Sequence, residues 1–328
     1  MSKSSTTFNL AALARSRRHW QDWLIARAIH LAAVVATSLI LLIFVFVGRE
    51  ALPVLTSAAV HEEVTLETLF LPQHYGTPEA RLPYVWQPVS AVPKYSLMPL
   101  FLGALKVTLV AMLFATPLAI LAAIYTTEFA PRWLREVIKP VVELLAGIPS
   151  VVLGFFALIV LASWLQDLFH FDFRLNAVNA GIALGLAVIP IIYTLSEDAL
   201  TAVPRSYRNA AYALGASPSR TAWSVVLPAA LPGVFAGVVL GFGRAVGETM
   251  IVLMASGNAA ITSWHFGESV RTLSATIAAE LAEVVFGSPH YHVLFFVGTL
   301  LFLITFVLNW LGSRLVAHLR QRLTGAER

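Results

Sequence analysis

The sequence predicts an all-α membrane protein with six transmembrane helices, and three observations carry that reading. Of 328 residues, 58% are hydrophobic and 12% charged, against about 45–50% and about 25% in soluble domains. Long apolar segments recur at 28–48, 97–125, 141–162, 177–195, 227–257 and 291–312, a helical length that crosses a hydrocarbon core about 30 Å thick. The connecting segments also alternate in basic content. Residues 1–27, 126–140, 196–226 and 313–328 hold 15 Lys/Arg in 89 residues, whereas 49–96, 163–176 and 258–290 hold 5 in 95. The positive-inside rule then places both termini in the cytoplasm, and the lipid's inability to satisfy open backbone groups makes the spanning segments helices.

The elements follow in order. Residues 1–27 read as a basic cytoplasmic N-terminus, and 28–48, uncharged throughout, as a first span retained rather than cleaved as a secretory signal. Residues 49–96 carry Pro53, Pro72, Pro78, Pro83, Pro88 and Pro93 with Tyr75, Tyr84, Trp86 and Tyr95, which suits a periplasmic loop touching the headgroup zone. Residues 97–312 form the membrane core domain, and 313–328 a cytoplasmic tail. Within the core, 271–285 is helix-forming but too polar to span, and reads as an interfacial or re-entrant helix. With no cysteine there is no thiolate metal site and no cysteine nucleophile.

The loop 196–226 carries the most local information. Pro204 starts a helix where its missing N–H costs nothing, and Gly215 ends it in the left-handed conformation. Small Ala210, Ala211 and Ala213 let another surface approach, and Pro228 and Pro232 open the next span. The shape fits a docking helix, and it fits an ordinary interhelical connection equally well.

The spacing decides between them by resemblance. Asn209-Ala210-Ala211, three residues, Gly215, nine residues, Val225, one residue, Leu227-Pro228 resembles the E-A-A signature of ATP-binding-cassette importer permeases. That resemblance implies a type I importer permease fold in which this helix seats in a cleft of a cytoplasmic ATPase. It implies a coupling role for Arg205, Arg208, Asn209, Ala210, Ala211, Leu214 and Gly215. Asn209 stands where the family usually has glutamate, which puts one polar contact to the ATPase in question. The strings at 145–156, 195–217 and 241–258 further resemble the first of the two paired permeases of the bacterial phosphate-specific importer. The partners this implies are a second permease in a heterodimer, two ATPase subunits and a periplasmic phosphate-binding protein, all at the bacterial inner membrane.

Arg244 and Glu248 lie in an apolar span, where a charge near the bilayer centre costs about 2.5–3.5 kcal/mol on insertion scales. Four residues apart, they are expected to share one helix face as an ion pair. Two readings stand beside each other: a self-neutralising structural pair, and a group on an anion pathway, for which the planar guanidinium fork is suited. Gly241, Gly243 and Gly247 on the same helix, with Pro149 and Pro190 elsewhere, read as packing sites or cavity-lining breaks. Lys106, inside the second span, is expected to snorkel to the outer surface rather than contact an anion.

Other classes find little support. No HExxH or GxSxG motif is present, and none of the four lysines follows a glycine as a P-loop requires, so ATP hydrolysis is expected on a partner chain. No cofactor, metal site or nucleic-acid partner is implied. Glu197 and Asp198, the one acid pair outside the other loops, are expected to cap or flank the docking helix. An ion-coupled secondary transporter would explain the buried charges but not the docking signature. Among importers, phosphonate, sulfate or molybdate is the alternative cargo.

Overall fold

The computed structural model describes residues 10–73 and 83–324; Lys3, Tyr75, Pro78 and the tail beyond Thr324 lie outside them. Two units divide between Glu50 and Ala51. The first is a single helix, α1 (Leu10–Ala51), whose charges stop at Arg27 and resume at Arg49. The apolar stretch between them is of spanning length.

The second unit opens with three short helices, α2 (Pro53–Thr56), α3 (Ala58–His61) and α4 (Leu66–Phe70). α4 starts in a reciprocal cap: the Thr65 N–H donates to the Thr68 hydroxyl at 2.9 Å, and the Thr68 N–H to the Thr65 hydroxyl at 3.3 Å. Strands β1 (Trp86–Gln87) and β2 (Lys94–Tyr95) pair antiparallel, Trp86 opposite Tyr95. α5 (Met98–Ile124) then runs into a π turn at Tyr125–Phe129, and α6 (Arg132–Ala146) follows. α7 (Ser150–Phe156) and α8 (Ala162–Phe169) join through a second π turn at Ala157–Leu161. α9 (Ala177–Thr201) is capped by Asn176, whose side chain accepts from the Asn179 N–H at 2.9 Å. After α10 (Arg205–Ala213), α11 (Pro218–Thr221) passes through a third π turn at Ala222–Val226 into α12 (Leu227–Gly247). α13 (Met250–Ala255), α14 (Leu273–Glu280) and α15 (Pro289–Thr324) complete the chain. Among the described residues six helical stretches are long and apolar enough to span: Asp22–Thr56, Met98–Phe129, Ser150–Phe169, Ala177–Thr201, Pro218–Gly247 and Pro289–Leu319.

Small residues set the core. α5 buries Ala111, Ala115, Ala119 and Ala123, one per turn, against Ala180, Ala183, Leu184 and Val188 of α9. α12 approaches α9 through Gly233, Gly237 and Gly241, where an added Cβ would lie 2.4 Å from Ala199, 3.0 Å from Leu195 and 2.7 Å from Ile192. The second unit thus has two ends. One gathers Tyr125–Phe129, α6, the last turns of α9, and α10; the other gathers the first turns of α5 and α15, the loop 256–272 and α14, around a second core of Trp86, Tyr95, Leu97, Leu100, Leu273 and Val293. Within the second unit, the basic connections at 126–140 and 196–226 share one end and the weakly charged 258–290 lies at the other.

Several expected bounds move. The third span begins at Ser150, not residue 141, because Pro149 lacks an N–H and disfavours helix at Ile148. The preceding residues form α6 instead, whose Ile138 and Val142 pack on the core while Lys139 pairs with Glu197. The fifth span ends at Gly247 rather than 257, since Glu248 is extended (φ −70°, ψ 132°). The fourth continues to Thr201 and the sixth to Leu319. The helix expected at 271–285 is Leu273–Glu280, with Leu273, Ser274, Ala275 and Thr276 buried; it is inserted among other helices and not laid on a surface.

Candidate translocation and coupling sites

α10 stands out from the bundle on a fixed base. Pro204 precedes it in extended conformation, and Gly215 leaves it at φ +82° with the Ala216 N–H donating to the Ala211 carbonyl at 3.0 Å. Arg208 turns inward. Its guanidinium meets Glu128 at 2.6 Å and donates to the Val203 and Leu200 carbonyls at 2.7 and 3.0 Å, with both charged side chains mostly buried. Ala211 is buried with it. Arg205, Asn209, Ala210 and Gly215 are exposed, and Leu214 projects at 89% exposure beside half-exposed Tyr207 and Tyr212. The signature therefore splits into an anchoring face and a presented face.

Glu197 and Asp198 do not cap α10. They lie in α9, and Lys139 of α6 reaches them at 2.9 and 3.4 Å. The hydrogen bond to Glu197 holds the Lys139 ammonium above its usual range. α10 needs no acid cap because Pro204 already removes one orphan donor. Arg135 of α6 likewise donates to the Thr126 carbonyl at 2.9 Å and to that of Thr127, so α6 clamps the π turn that ends α5.

Arg244 and Glu248 are brought together, but not as a helical pair. α12 ends between them, so Glu248 leaves the helix face it was expected to share. Arg244 Nη2 and Glu248 Oε2 are 3.8 Å apart, with side chains 45% and 10% exposed. The Glu248 carbonyl accepts from Ser274 Oγ at 2.9 Å. Glu248 borders a narrow cleft with Ala104, Thr108, Ala245, Val252, Thr272 and Ser274 that has no room for a water-sized group. Of the nearby glycines, Gly241 and Gly243 are packing sites, Gly243 against Asn309 of α15, and Gly247 faces open space.

Lys106 overturns its expectation. It is 1% exposed, and its ammonium donates to the Ser263 and His265 carbonyls at 3.1 and 2.5 Å, with the Phe266 ring 5.7 Å away. The loop 256–272 folds over it and supplies the partners that snorkelling would have sought in water. Beyond it, Glu280 collects Trp86 Nε1 at 3.0 Å, Arg271 at 2.6 Å and His290 Nε2 at 2.9 Å. Burial works against the Glu280 carboxylate, but the His290 and Trp86 hydrogen bonds and the Arg271 charge outweigh it and hold the group below its ordinary value.

With this geometry in place, residues 115–325 match the family of binding-protein-dependent transport system inner membrane components. The chain belongs to that family. A probable ABC transporter permease, YqgH of Bacillus subtilis, is 36% identical over 233 residues, 70% of this chain and 75% of that one. The phosphate transport system permease protein PstC of Mesorhizobium japonicum is 35% identical over 260 residues, 74% and 78% of the two chains. PstC of Pasteurella multocida is 32% identical over 258 residues, 72% and 79% of the two. In fold, the chain is similar to a chain of the inward-facing MetNI methionine ABC transporter, at TM-score 0.53 and 19% identity, covering 67% of this chain and 95% of that one. The fold is that of a type I importer permease, and the protein a multi-pass inner-membrane permease subunit of an ABC importer.

Sequence reasoning missed Glu128, Lys139, Ser274 and Glu280 as partners of the sites. Glu128 and Lys139 carried a signal, being charges beside span ends. Ser274 carried none, since its partner Glu248 lies 26 residues away in sequence; for Glu280, Trp86 lies 194 residues away, and Arg271 and His290, 9 and 10 residues away, meet it only through the fold around α14.

Proposed function

We propose that this permease carries inorganic phosphate inward, driven by ATP hydrolysis on separate subunits. In this reading it pairs with a second permease, two ATPase subunits seat on the presented face of α10, and a periplasmic phosphate-binding protein delivers cargo at the α14 end. Both termini are cytoplasmic. Phosphate is favoured over phosphonate, sulfate or molybdate because several relatives are named as phosphate permeases.

The observation that carries the pathway role is the Arg244–Glu248 spacing. At 3.8 Å the pair exceeds hydrogen-bond length, so the carboxylate does not consume the guanidinium's donors. Arg244 is half-exposed beside a helix break, an arrangement that membrane transporters use to line a substrate site. A structural pair would be closer and drier. Labelled-phosphate uptake by cells carrying Arg244→Gln should fall to background while the ATPase still co-purifies. Uptake at the normal rate would remove Arg244 from the pathway, and transport of sulfate in place of phosphate would reassign the cargo.

A further inference from the structure

We propose that Ser274 is a positioning residue that latches the break between α12 and α13, so that α14 sets how Glu248 stands against Arg244. This rests on the reading that Arg244 and Glu248 lie on the pathway. A broken helix inside a membrane leaves carbonyls that the surrounding protein must satisfy. At this break the Glu248 carbonyl receives a hydroxyl from another element: Ser274 Oγ donates to it at 2.9 Å, and Ser274 is 5% exposed.

The donor is itself fixed. Thr272 Oγ1 lies 3.3 Å from Ser274 Oγ and accepts from the Ala275 N–H at 3.3 Å, capping α14. Just before the cap, the Arg271 backbone lies against α5 at Gly103, where any added Cβ would overlap the Arg271 carbonyl. At the other end of α14, Glu280 is held by Trp86, Arg271 and His290. Two clamps thus fix an eight-residue helix whose first turn holds the backbone of a pathway residue. A shift of α14 moves the Glu248 carbonyl with it and re-aims the carboxylate, while leaving the α10 end untouched.

The test uses the assembled complex with its binding protein, reconstituted in vesicles, and reads phosphate moved per ATP hydrolysed. Ser274→Ala should lower that ratio about fivefold, the worth of one neutral hydrogen bond, and Ser274→Thr, which keeps the hydroxyl, should restore it. A merely structural serine would lower transport and hydrolysis together and leave the ratio unchanged. An unchanged ratio in Ser274→Ala, with Arg244→Gln inactive, overturns the latch and leaves the pathway standing. Normal uptake by Arg244→Gln instead overturns the pathway itself. Should Ser274→Ala fail to assemble, Ser274→Cys, close in volume but a weak donor, is judged by the same ratio; failure of both to assemble makes the serine structural and refutes the proposal.

Discussion

The α10 end and the α14 end of the second unit each hold a short helix on a buried carboxylate, and they differ in what that helix then does. Glu128 anchors α10 through Arg208, and the rest of α10 is presented outward, with Leu214 the most prominent side chain. Glu280 anchors α14, and the first half of α14, Leu273 to Thr276, is buried where the helix packs on α5, α13 and α15. One helix leaves most of its surface exposed, and the other packs its first turn among neighbouring helices. The same device, a charge-assisted clamp at one point, therefore holds a helix with an exposed face in one case and a helix beside the α12–α13 break in the other.

The largest expected effect breaks the α10 clamp. Arg208→Ala leaves Glu128 buried without its cation, which costs about 3–5 kcal/mol. The permease should then be recovered in much reduced amount, with little ATPase attached, as judged by membrane yield and co-purification. Replacing both Arg208 and Glu128 by methionine should recover more protein than Arg208→Ala alone, because no uncompensated charge remains.

Gly215→Trp sharpens the comparison without touching a clamp. Nothing lies within 4 Å of a Cβ built there, but φ is +82°, a conformation costing a side-chain-bearing residue about 1–2 kcal/mol. Insertion and yield should survive, while the bulk at the presented face uncouples hydrolysis from uptake. Coupled transport at the normal rate would deny α10 its docking role.

At the α14 end, Glu280→Gln loses charge-assisted bonds from Arg271 and His290, worth about 1.5–3 kcal/mol. The sign of the pH effect follows from its lowered value. The carboxylate's contribution is complete above the ordinary 4.5 and is lost as pH falls through the lower folded value. Thermal unfolding of the purified wild type should therefore drop on acidification below about pH 4.5 more than that of Glu280→Gln; equal drops would mean that Glu280 does not clamp α14.

The two ends also differ in how much the sequence reveals. α10 is legible because its starter Pro204, its terminator Gly215 and the small residues between them all lie on one short stretch of chain, about three turns long. The six spans were legible because hydropathy is additive along the chain. α14 was seen only as an ambiguous helix, because its role depends on Trp86 and Glu248, remote in sequence. Lys106 misled for the same reason: its partners are backbone carbonyls of a loop some 160 residues on, invisible to residue type. The Arg244–Glu248 pair was found by composition but misplaced, since helical spacing assumes a continuous helix and Glu248 is extended. Local chemistry proposes such sites, and long-range backbone contacts decide their geometry.

The most direct measurement is uptake of labelled phosphate by reconstituted complexes carrying wild-type Arg244, Arg244→Lys, Arg244→Gln or Glu248→Gln, with assembly verified for each. An anion pathway predicts loss in Arg244→Gln, partial recovery in Arg244→Lys, which keeps the charge without the bidentate fork, and impairment in Glu248→Gln, where the guanidinium is no longer restrained. Wild-type uptake by assembled Arg244→Gln complexes would contradict it and leave the pair as packing.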